Sequence, residues 1–219
     1  MGVSNCKNFK LFITSPRLAF YELHSLVHSK PRINEAASAI EELLTKSDIK
    51  FDRLVDYGCG LGSLLTTAKR FKLSYCGLDI DDDALRICNV LYGGEAVVEF
   101  SLCKDGIIPI TLSPRDILVL NGVVHHLTDE EFVNLLKLVA QAKCRVVILD
   151  HVKVALAKTL LSRIQAFLQA ADKGKFVRNY DYFNSLENLK MSRQSVFTIH
   201  FLGMPLWNYF CHTYQAEGV

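Results

Sequence analysis

The sequence predicts an α/β fold built on a mostly parallel β-sheet that helices cover on both faces. From about residue 52 onward, short and nearly continuous apolar runs alternate with segments of helical periodicity. This alternation is typical of parallel strands that are buried on both sides. Near the C-terminus, two further β-like runs are joined by the short connection Gly203-Met-Pro205. A connection of that length forms a hairpin, so one strand is expected to be antiparallel.

The elements can be placed in order along the chain. A helical pattern over Ile33–Leu44 precedes the first strand. The strands are then predicted at Arg53–Tyr57, Tyr75–Ile80, Val97–Leu102, Asp116–Asn121, Cys144–Asp150, Ser195–Leu202 and Leu206–Tyr214. The helices between them are predicted at Leu64–Phe71, Asp82–Leu91, Asp129–Ala142 and 155–171. Thr128 and Glu131, three residues apart, form the capping-box pattern that starts a helix.

Length and composition favour one globular domain over residues 1–219, with a helical N-terminal part (1–50), a central half (51–150) and a C-terminal part (151–219). Half of the 219 residues are apolar, and 25 basic against 23 acidic residues give a net charge of only +2. This balance predicts little attraction to nucleic acid. No apolar run is long enough to span a membrane.

Seven cysteines occur without a CxxC pair, which argues against a disulfide framework and against a zinc site. We therefore expect a cytoplasmic protein that holds no metal and keeps most of its cysteines in the core.

The most informative segment is Asp56-Tyr-Gly58-Cys59-Gly60-Leu-Gly62, between the first predicted strand and the next helix. Glycines at this place allow a tight turn and the close approach of a ligand to the backbone. The following helix N-terminus offers free N–H groups to an anion. A plain strand–helix turn, the simpler interpretation, needs only one glycine.

A second signal is Asp79, which ends the second predicted strand about 20 residues after Gly58. A carboxylate at this position accepts hydrogen bonds from ribose hydroxyls in nucleotide-binding folds. For the neighbouring Asp81, Asp82 and Asp83, helix capping and favourable contact with the helix dipole are the simpler explanation. Together the two signals predict a cofactor that contains a nucleoside.

The glycine loop with Asp56 before it resembles motif I of the class I S-adenosylmethionine-dependent methyltransferases, and the ensemble resembles small-molecule members of that class. Gly77-Leu-Asp79 is similar to their ribose-binding strand end. Residues 116–129, with His125-His126-Leu-Thr-Asp129, are similar to their fourth-strand segment. The resemblance implies a Rossmann-like three-layer sandwich with seven strands, the last one antiparallel, and S-adenosyl-L-methionine as cofactor.

The resemblance assigns the cofactor to a set of residues around this loop. The expected cofactor-binding residues are Asp56, Gly58, Cys59, Gly60, Gly62, Asp79, Ile80, Asp105, Asn121 and Gly122. Asp56 is expected to meet the methionine amino group or, alternatively, to accept N–H groups that organise the loop. Ile80 is expected to pack on the adenine or to be an ordinary buried aliphatic residue. Cys103 and Lys104 compete with Asp105 as the neighbour of the adenine.

His125 and His126 are the candidate catalytic residues, since an imidazole near the transferred methyl group can take a proton from the acceptor. The alternative is that one of them packs against the sheet. Adjacent residues on a helix point in different directions, so both rarely serve one site.

The acceptor pocket is expected to include Tyr21, His151, Arg178 and Tyr182. Phe20, His24 and His28 share the helical spacing of Tyr21 and either close over the pocket or simply pack. Arg178 is expected to bind an anionic acceptor group or to pair with Asp172 or Glu187.

The predicted reaction is in-line transfer of a methyl group to an oxygen, nitrogen or carbon nucleophile of a small molecule. The alternatives are an oxidoreductase that uses NAD and a cofactor-binding subunit without activity. Ser63 stands where a dinucleotide fingerprint has Gly or Ala, and no Asn/Asp-Pro-Pro-Tyr motif follows the fourth strand. The first observation disfavours NAD, and the second disfavours methylation of adenine in nucleic acid.

Overall fold

The computed structural model describes residues 16–103, 107–152, 174–184, 186–201 and 204–217. Side chains are described from Lys30 onward, except those of residues 200, 201 and 204–207. Several of the sequence predictions lie outside these limits, namely those for the helix over 155–171, for Lys104, Asp105 and Asp172, and for the side chains of Phe20, Tyr21, His24 and His28.

The described chain contains four α-helices and seven strands in the predicted order. The helices are α1 (Pro16–Lys46), α2 (Leu65–Arg70), α3 (Asp82–Tyr92) and α4 (Asp129–Ala142). The strands are β1 (Arg53–Tyr57), β2 (Ser74–Asp79), β3 (Val98–Leu102), β4 (Asp116–Asn121), β5 (Arg145–His151), β6 (Leu189–Phe201) and β7 (Met204–Ala216). The bounds of β1, β4 and α4 agree with the prediction at both ends.

The seven strands form one sheet in the order β3-β2-β1-β4-β5-β7-β6. Neighbours from β3 to β5 are parallel, whereas β7 runs antiparallel to both β5 and β6. The predicted fold class is therefore confirmed. The chain leaves β1 toward β3 and later returns to place β4 on the other side of β1. The crevice at the carboxyl ends of β1 and β4 is thus the switch point where open α/β sheets bind ligands.

Buried residues form a hydrophobic layer on each face of the sheet. On one face, α4 contributes Phe132, Leu135, Leu136 and Val139. On the other, α1 contributes Ala36, Ala39, Ile40 and Leu43, and α2 contributes Leu65 and Ala68. Alternate residues of β4 serve opposite layers, since Leu118 faces α4 whereas Ile117 and Val119 face α1. This arrangement explains why the central strands are apolar throughout.

Local signals in the sequence have the expected structural counterparts. The Thr128 hydroxyl accepts the Glu131 N–H, and the Glu131 carboxylate accepts the Thr128 N–H at 2.8 Å, which is a complete capping box. The six cysteines within the described residues are all buried and free. No helix in the described part of the chain is long and apolar enough to cross a membrane.

Candidate cofactor and methyl-transfer site

The glycine loop turns sharply because all three glycines have positive φ angles: 75° at Gly58, 52° at Gly60 and 75° at Gly62. A side chain at Gly58 would lie 2.6 Å from Cγ2 of Val123, so the loop packs directly on the segment that follows β4. A Cβ atom at Gly60, by contrast, would meet no heavy atom within 4 Å. The loop therefore closes tightly on its inner side and is open at Gly60.

Asp79 at the end of β2 is tied to this loop. Its carboxylate accepts the Gly60 N–H at 2.7 Å and the Asp81 N–H at 2.9 Å, one on each oxygen. A carboxylate has about four acceptor positions, so two remain for the hydroxyls of a ribose. The Asp81 side chain caps α3 by accepting the Asp83 and Ala84 N–H groups, as predicted.

Asp56 is buried beneath the loop and accepts a 2.7 Å hydrogen bond from the Tyr75 hydroxyl. Burial raises the pKa of Asp56 to about 7, although hydrogen bonds from Tyr75 and from the backbone of Leu64 oppose this shift. These contacts support the second of the two roles expected for Asp56, that of an acceptor that organises the loop.

Other residues at this edge fit a bound nucleoside cofactor. Ile80 is 75% exposed beside Asp79, so it is not the buried aliphatic residue of the alternative interpretation. The side-chain oxygen of Asn121 is buried and has no hydrogen-bond partner among the described residues. Such an atom at the carboxyl end of β4 fits a donor group of the ligand. The side chain of Cys59 is buried, and its backbone N–H donates to the Leu78 carbonyl at 3.0 Å.

Gly122 follows β4 with φ of 70° and donates its N–H to the Leu149 carbonyl at 2.7 Å. A Cβ at Gly122 would lie 2.3 Å from Nη1 of Arg32. Helix α1 therefore brings a guanidinium to the end of β4, a contact that the sequence did not predict. The Arg32 guanidinium also lies 5.7 Å from the centre of the Tyr209 ring on β7.

The structure separates the two candidate histidines. His125 is only 3% exposed, whereas His126 is exposed. Their ring centres lie 4.1 Å apart in the 3₁₀ turn Val124–His126 that follows β4. Because Val123 packs on Gly58, this turn lies against the glycine loop. Of the two histidine side chains, that of His126 is therefore at the surface and that of His125 belongs to the interior.

His125 and His151 share the buried carboxylate of Asp150, which the sequence analysis missed. Nδ1 of His125 lies 2.7 Å and Nδ1 of His151 3.2 Å from Oδ1 of Asp150, and the His125 N–H also reaches Oδ2 at 3.2 Å. Burial alone would raise the pKa of Asp150, but the two histidines hold it well below its usual range. The carboxylate is therefore ionised and directs both imidazole Nδ1–H groups toward itself.

The cluster of His125, Asp150 and His151 also has the ligand types of a metal site, with candidate atoms within 4.8 Å of one another. The His125 ring is oriented by its hydrogen bond to Asp150, while His151 donates its backbone N–H to the same oxygen at 2.7 Å and holds its ring Nδ1 beside it. That the chain holds no metal remains a prediction. His151 is 3% exposed and packs edge-on against the Tyr209 ring at 5.8 Å. Its ring is thus interior, although we expected it in the acceptor pocket.

The structure corrects the expectation for Arg178, whose guanidinium is fully engaged by internal partners. Its donors reach the carbonyls of Val124 (2.8 Å), Leu127 (2.9 Å) and Phe176 (3.2 Å). They also reach Asp129 at 2.7 and 3.0 Å. All five N–H groups are used, so none remains for an anionic acceptor. The ion-pair partner is Asp129 and not Glu187, and Asp172 lies outside the described residues.

Arg178 joins the segment 174–178 to the turn that carries the histidines. The Phe176 N–H donates to the His125 carbonyl at 3.0 Å, and a Cβ at Gly174 would lie 2.2 Å from the His125 ring. Tyr182 stacks beside Arg178 with the guanidinium 5.3 Å from its ring centre. Arg178 and Tyr182 line a cavity of about 350 Å³, which keeps Tyr182 as a candidate for acceptor contact.

Comparison with known proteins agrees with this geometry. Residues 55–143 match the family model described as a methyltransferase domain. No curated protein sequence matches the chain. An S-adenosylmethionine-dependent methyltransferase from Methanosarcina mazei has a similar structure, with a TM-score of 0.59, 13% identity, and coverage of 77% of this chain and 94% of that one.

Two further solved structures are similar to the chain. One is geranyl diphosphate methyltransferase in complex with GPP and sinefungin (TM-score 0.61, 13% identity, covering 82% of this chain and 77% of that one). The other was solved in work on the conversion of a disulfide bond into a thioacetal group during echinomycin biosynthesis (TM-score 0.60, 14% identity, covering 83% and 80%).

The sheet order is that of the Rossmann-like fold, and the glycine loop and the acidic end of β2 lie where this fold binds its ligands. The match of residues 55–143 to a methyltransferase domain, together with this fold, supports S-adenosylmethionine-dependent methyl transfer with S-adenosylmethionine as the cofactor. This match disfavours the alternative of an NAD-dependent oxidoreductase.

Proposed function

We propose that this methyltransferase acts on a small-molecule acceptor with an ionisable oxygen or nitrogen nucleophile, and that His126 contacts the acceptor. One observation carries the proposal: the turn with His126 lies directly on the glycine loop through the contact between Val123 and Gly58. An exposed imidazole at this place is positioned to take the proton that the nucleophile loses on methylation.

The acceptor class is supported by the charge and by the neighbours. The chain has a net charge of +2, which gives little general attraction to nucleic acid. The names of two similar structures refer to geranyl diphosphate and to echinomycin biosynthesis, both of which involve small molecules. We extend that acceptor class, though no particular acceptor, to this chain.

The residues of the chain have distinct tasks in this proposal. When bound, S-adenosylmethionine supplies an electrophilic methyl group. Asp79, Gly60 and Asn121 hold the nucleoside and amino-acid parts of the cofactor, and Ile80 covers its adenine. His125, fixed by Asp150, supports the turn so that His126 keeps its place. Alignment of the nucleophile and exclusion of water then provide most of the rate enhancement.

The test begins with calorimetric binding of S-adenosylmethionine and S-adenosylhomocysteine. Next, transfer of labelled methyl groups is measured to panels of small phenols, alcohols, carboxylic acids and amines, with a peptide pool and RNA in parallel. We expect transfer to a small molecule, and His126→Gln should lower kcat about 10²–10⁴-fold with cofactor affinity unchanged. Lys137→Gln, on the exposed face of α4, is the control substitution. Transfer only to peptide or RNA, or full activity of His126→Gln, would overturn the proposal.

A further inference from the structure

A second cavity lies at the opposite edge of the sheet, where β5 begins. It has a volume of about 370 Å³ and is lined by side chains of α1, the following loop, β5, β6 and β7. Its polar lining includes Lys46, Ser47, Arg145, Ser192, Thr213 and Gln215. Since β5 has seven residues, this cavity is about 20 Å from the carboxyl edge where the cofactor binds.

Arg145 is the unusual group in this cavity. It is only 7% exposed, and its Nη1 has no hydrogen-bond partner among the described residues. Burial lowers the pKa of its guanidinium. The hydroxyl of Thr213 in the same lining is likewise buried without a hydrogen-bond partner in the described part of the chain. Burial of a cation without a counter-charge costs folding free energy. Two buried donors without hydrogen-bond partners at one place therefore indicate a ligand.

The neighbouring arginines, unlike Arg145, are all paired with carboxylates. At the same edge, Arg53 binds Asp116 at 2.7 and 2.9 Å, and Arg115 pairs with Asp52. Inside the cavity, Arg193 pairs with Glu35 at 2.7 Å and with Glu42 at 3.1 Å.

The acidic residues of the lining do not neutralise Arg145. Glu42 is already bound by Lys46 at 2.8 Å as well as by Arg193. Asp48 is exposed at the rim. Within the described residues, no ion pair includes Arg145, so the carboxylates near it are either occupied or directed to solvent.

We propose that this cavity binds a small molecule through an oxyanion, a carboxylate or a phosphate, which Arg145 holds together with the Thr213 hydroxyl. A guanidinium forms two parallel hydrogen bonds with either group. Lys46 at the entrance adds attraction for an anion, and Ala39, Leu43 and Ile49 provide an apolar wall for an organic body. The site is distinct from the cofactor site and does not depend on the identity of the methyl acceptor.

The test compares the thermal unfolding of the full chain in sodium phosphate, sodium acetate and sodium chloride at equal ionic strength. At about ten times the dissociation constant, a ligand of the folded state raises Tm by about 3–6 °C for a chain of this size. We expect such a rise in phosphate or acetate but not in chloride. The stronger of the two responses identifies the oxyanion.

Two substitutions and a matched control complete the test. Arg145→Met should remove the rise, and without added anion it should be at least as stable as the wild type because the unpaired charge is gone. Thr213→Val should reduce the rise, whereas Arg86→Met, on exposed α3, should keep it. S-adenosylhomocysteine binding reports that each variant is folded. No rise in the wild type, or an equal rise in Arg145→Met, would overturn the proposal.

Discussion

The Oδ2 atom of Asp79 accepts a 2.7 Å hydrogen bond from the backbone N–H of Gly60. The residue that is expected to bind the ribose therefore also fixes the glycine loop, so the two parts of the cofactor site are coupled. A change at Asp79 affects both the charge offered to the ribose and the position of the loop.

We expect Asp79→Asn to weaken S-adenosylmethionine binding about 10- to 100-fold, because hydrogen bonds to a charged acceptor contribute about 1.5–3 kcal/mol. Calorimetry measures the affinity. Asp82→Asn is the matched control, since Asp82 is an exposed acid in the first turn of α3. An unchanged affinity in Asp79→Asn, or an equal loss in Asp82→Asn, would contradict the assignment.

The glycines of the loop should respond differently to alanine. At Gly58 a side chain meets Val123 and φ is positive, so Gly58→Ala should lower the free energy of unfolding by about 2–4 kcal/mol. At Gly60 only the positive φ disfavours alanine, so Gly60→Ala should lower the free energy of unfolding by about 1–2 kcal/mol. The new Cβ, however, enters the space open to the cofactor.

Urea unfolding and cofactor titration of the same variants separate these effects. Gly60→Ala should stay folded and lose binding. Gly94→Ala is the control, because a Cβ there meets nothing within 4 Å and φ is not positive. Normal cofactor affinity in Gly60→Ala would show that the cofactor does not pass over this residue.

Arg178 was predicted from the sequence as a residue of the acceptor pocket, and the structure makes it a clamp on the turn after β4. We expect Arg178→Lys to lower the free energy of unfolding by about 2–4 kcal/mol, since an ammonium cannot replace the five-donor fork. Asp129→Asn should cost less than about 1 kcal/mol because Asp129 is 77% exposed. If Arg178→Lys keeps full stability and only raises KM for the acceptor, the original prediction is correct.

Asp150 is expected to hold the interior of the site together. In Asp150→Asn, the amide offers one acceptor oxygen where His125 and His151 both direct Nδ1–H groups. We expect the free energy of unfolding to fall by about 2–4 kcal/mol. Chemical denaturation measures this change, with Asp181→Asn on an exposed turn as the control. A loss no larger than in that control would mean that the carboxylate is dispensable for the fold.

The fold and the cofactor half of the site were predictable because their signals are local in the sequence. Each glycine of the loop, Asp79 and the capping box at Thr128 lies within a few residues of its partners or at the end of a strongly apolar strand. Strand β6 was predicted too short, starting at Ser195 instead of Leu189. It is an edge strand, and residues 189–194 contain only two apolar residues, Leu189 and Met191, so the strand signal there is weak.

The contacts that hold the turn after β4 in place were not predictable from the sequence, because they join residues that are far apart along the chain. His125 meets Asp150 25 residues along the chain, and Arg178 meets Asp129 49 residues away. The one feature of the sequence that could have indicated these contacts was the position of Asp150, at the end of a predicted strand and next to His151. The direction in which each histidine side chain points depends on packing. Two adjacent histidines in a sequence do not reveal which of them is buried.

The buried carboxyl of Asp56 gives the stability of the protein a pH dependence that can be measured. Burial raises its pKa from 3.8 to about 7 in the folded protein. Between these values the folded state binds a proton that the unfolded state has released. The free energy of unfolding therefore falls as pH rises through this window, by at most about 1.4 kcal/mol per pH unit.

Asp56→Asn removes this titration while keeping the size of the side chain, so its stability relative to the wild type should increase from pH 4 to pH 7. Tyr75→Phe removes the hydroxyl that favours the ionised form, so the fall should extend above pH 7. Urea unfolding at a series of pH values measures the differences, with Asp52→Asn as the control because Asp52 is exposed and paired with Arg115. If the curves of wild type and Asp56→Asn run parallel, Asp56 is ionised throughout, and its carboxylate is stabilised by more than Tyr75 and the loop backbone.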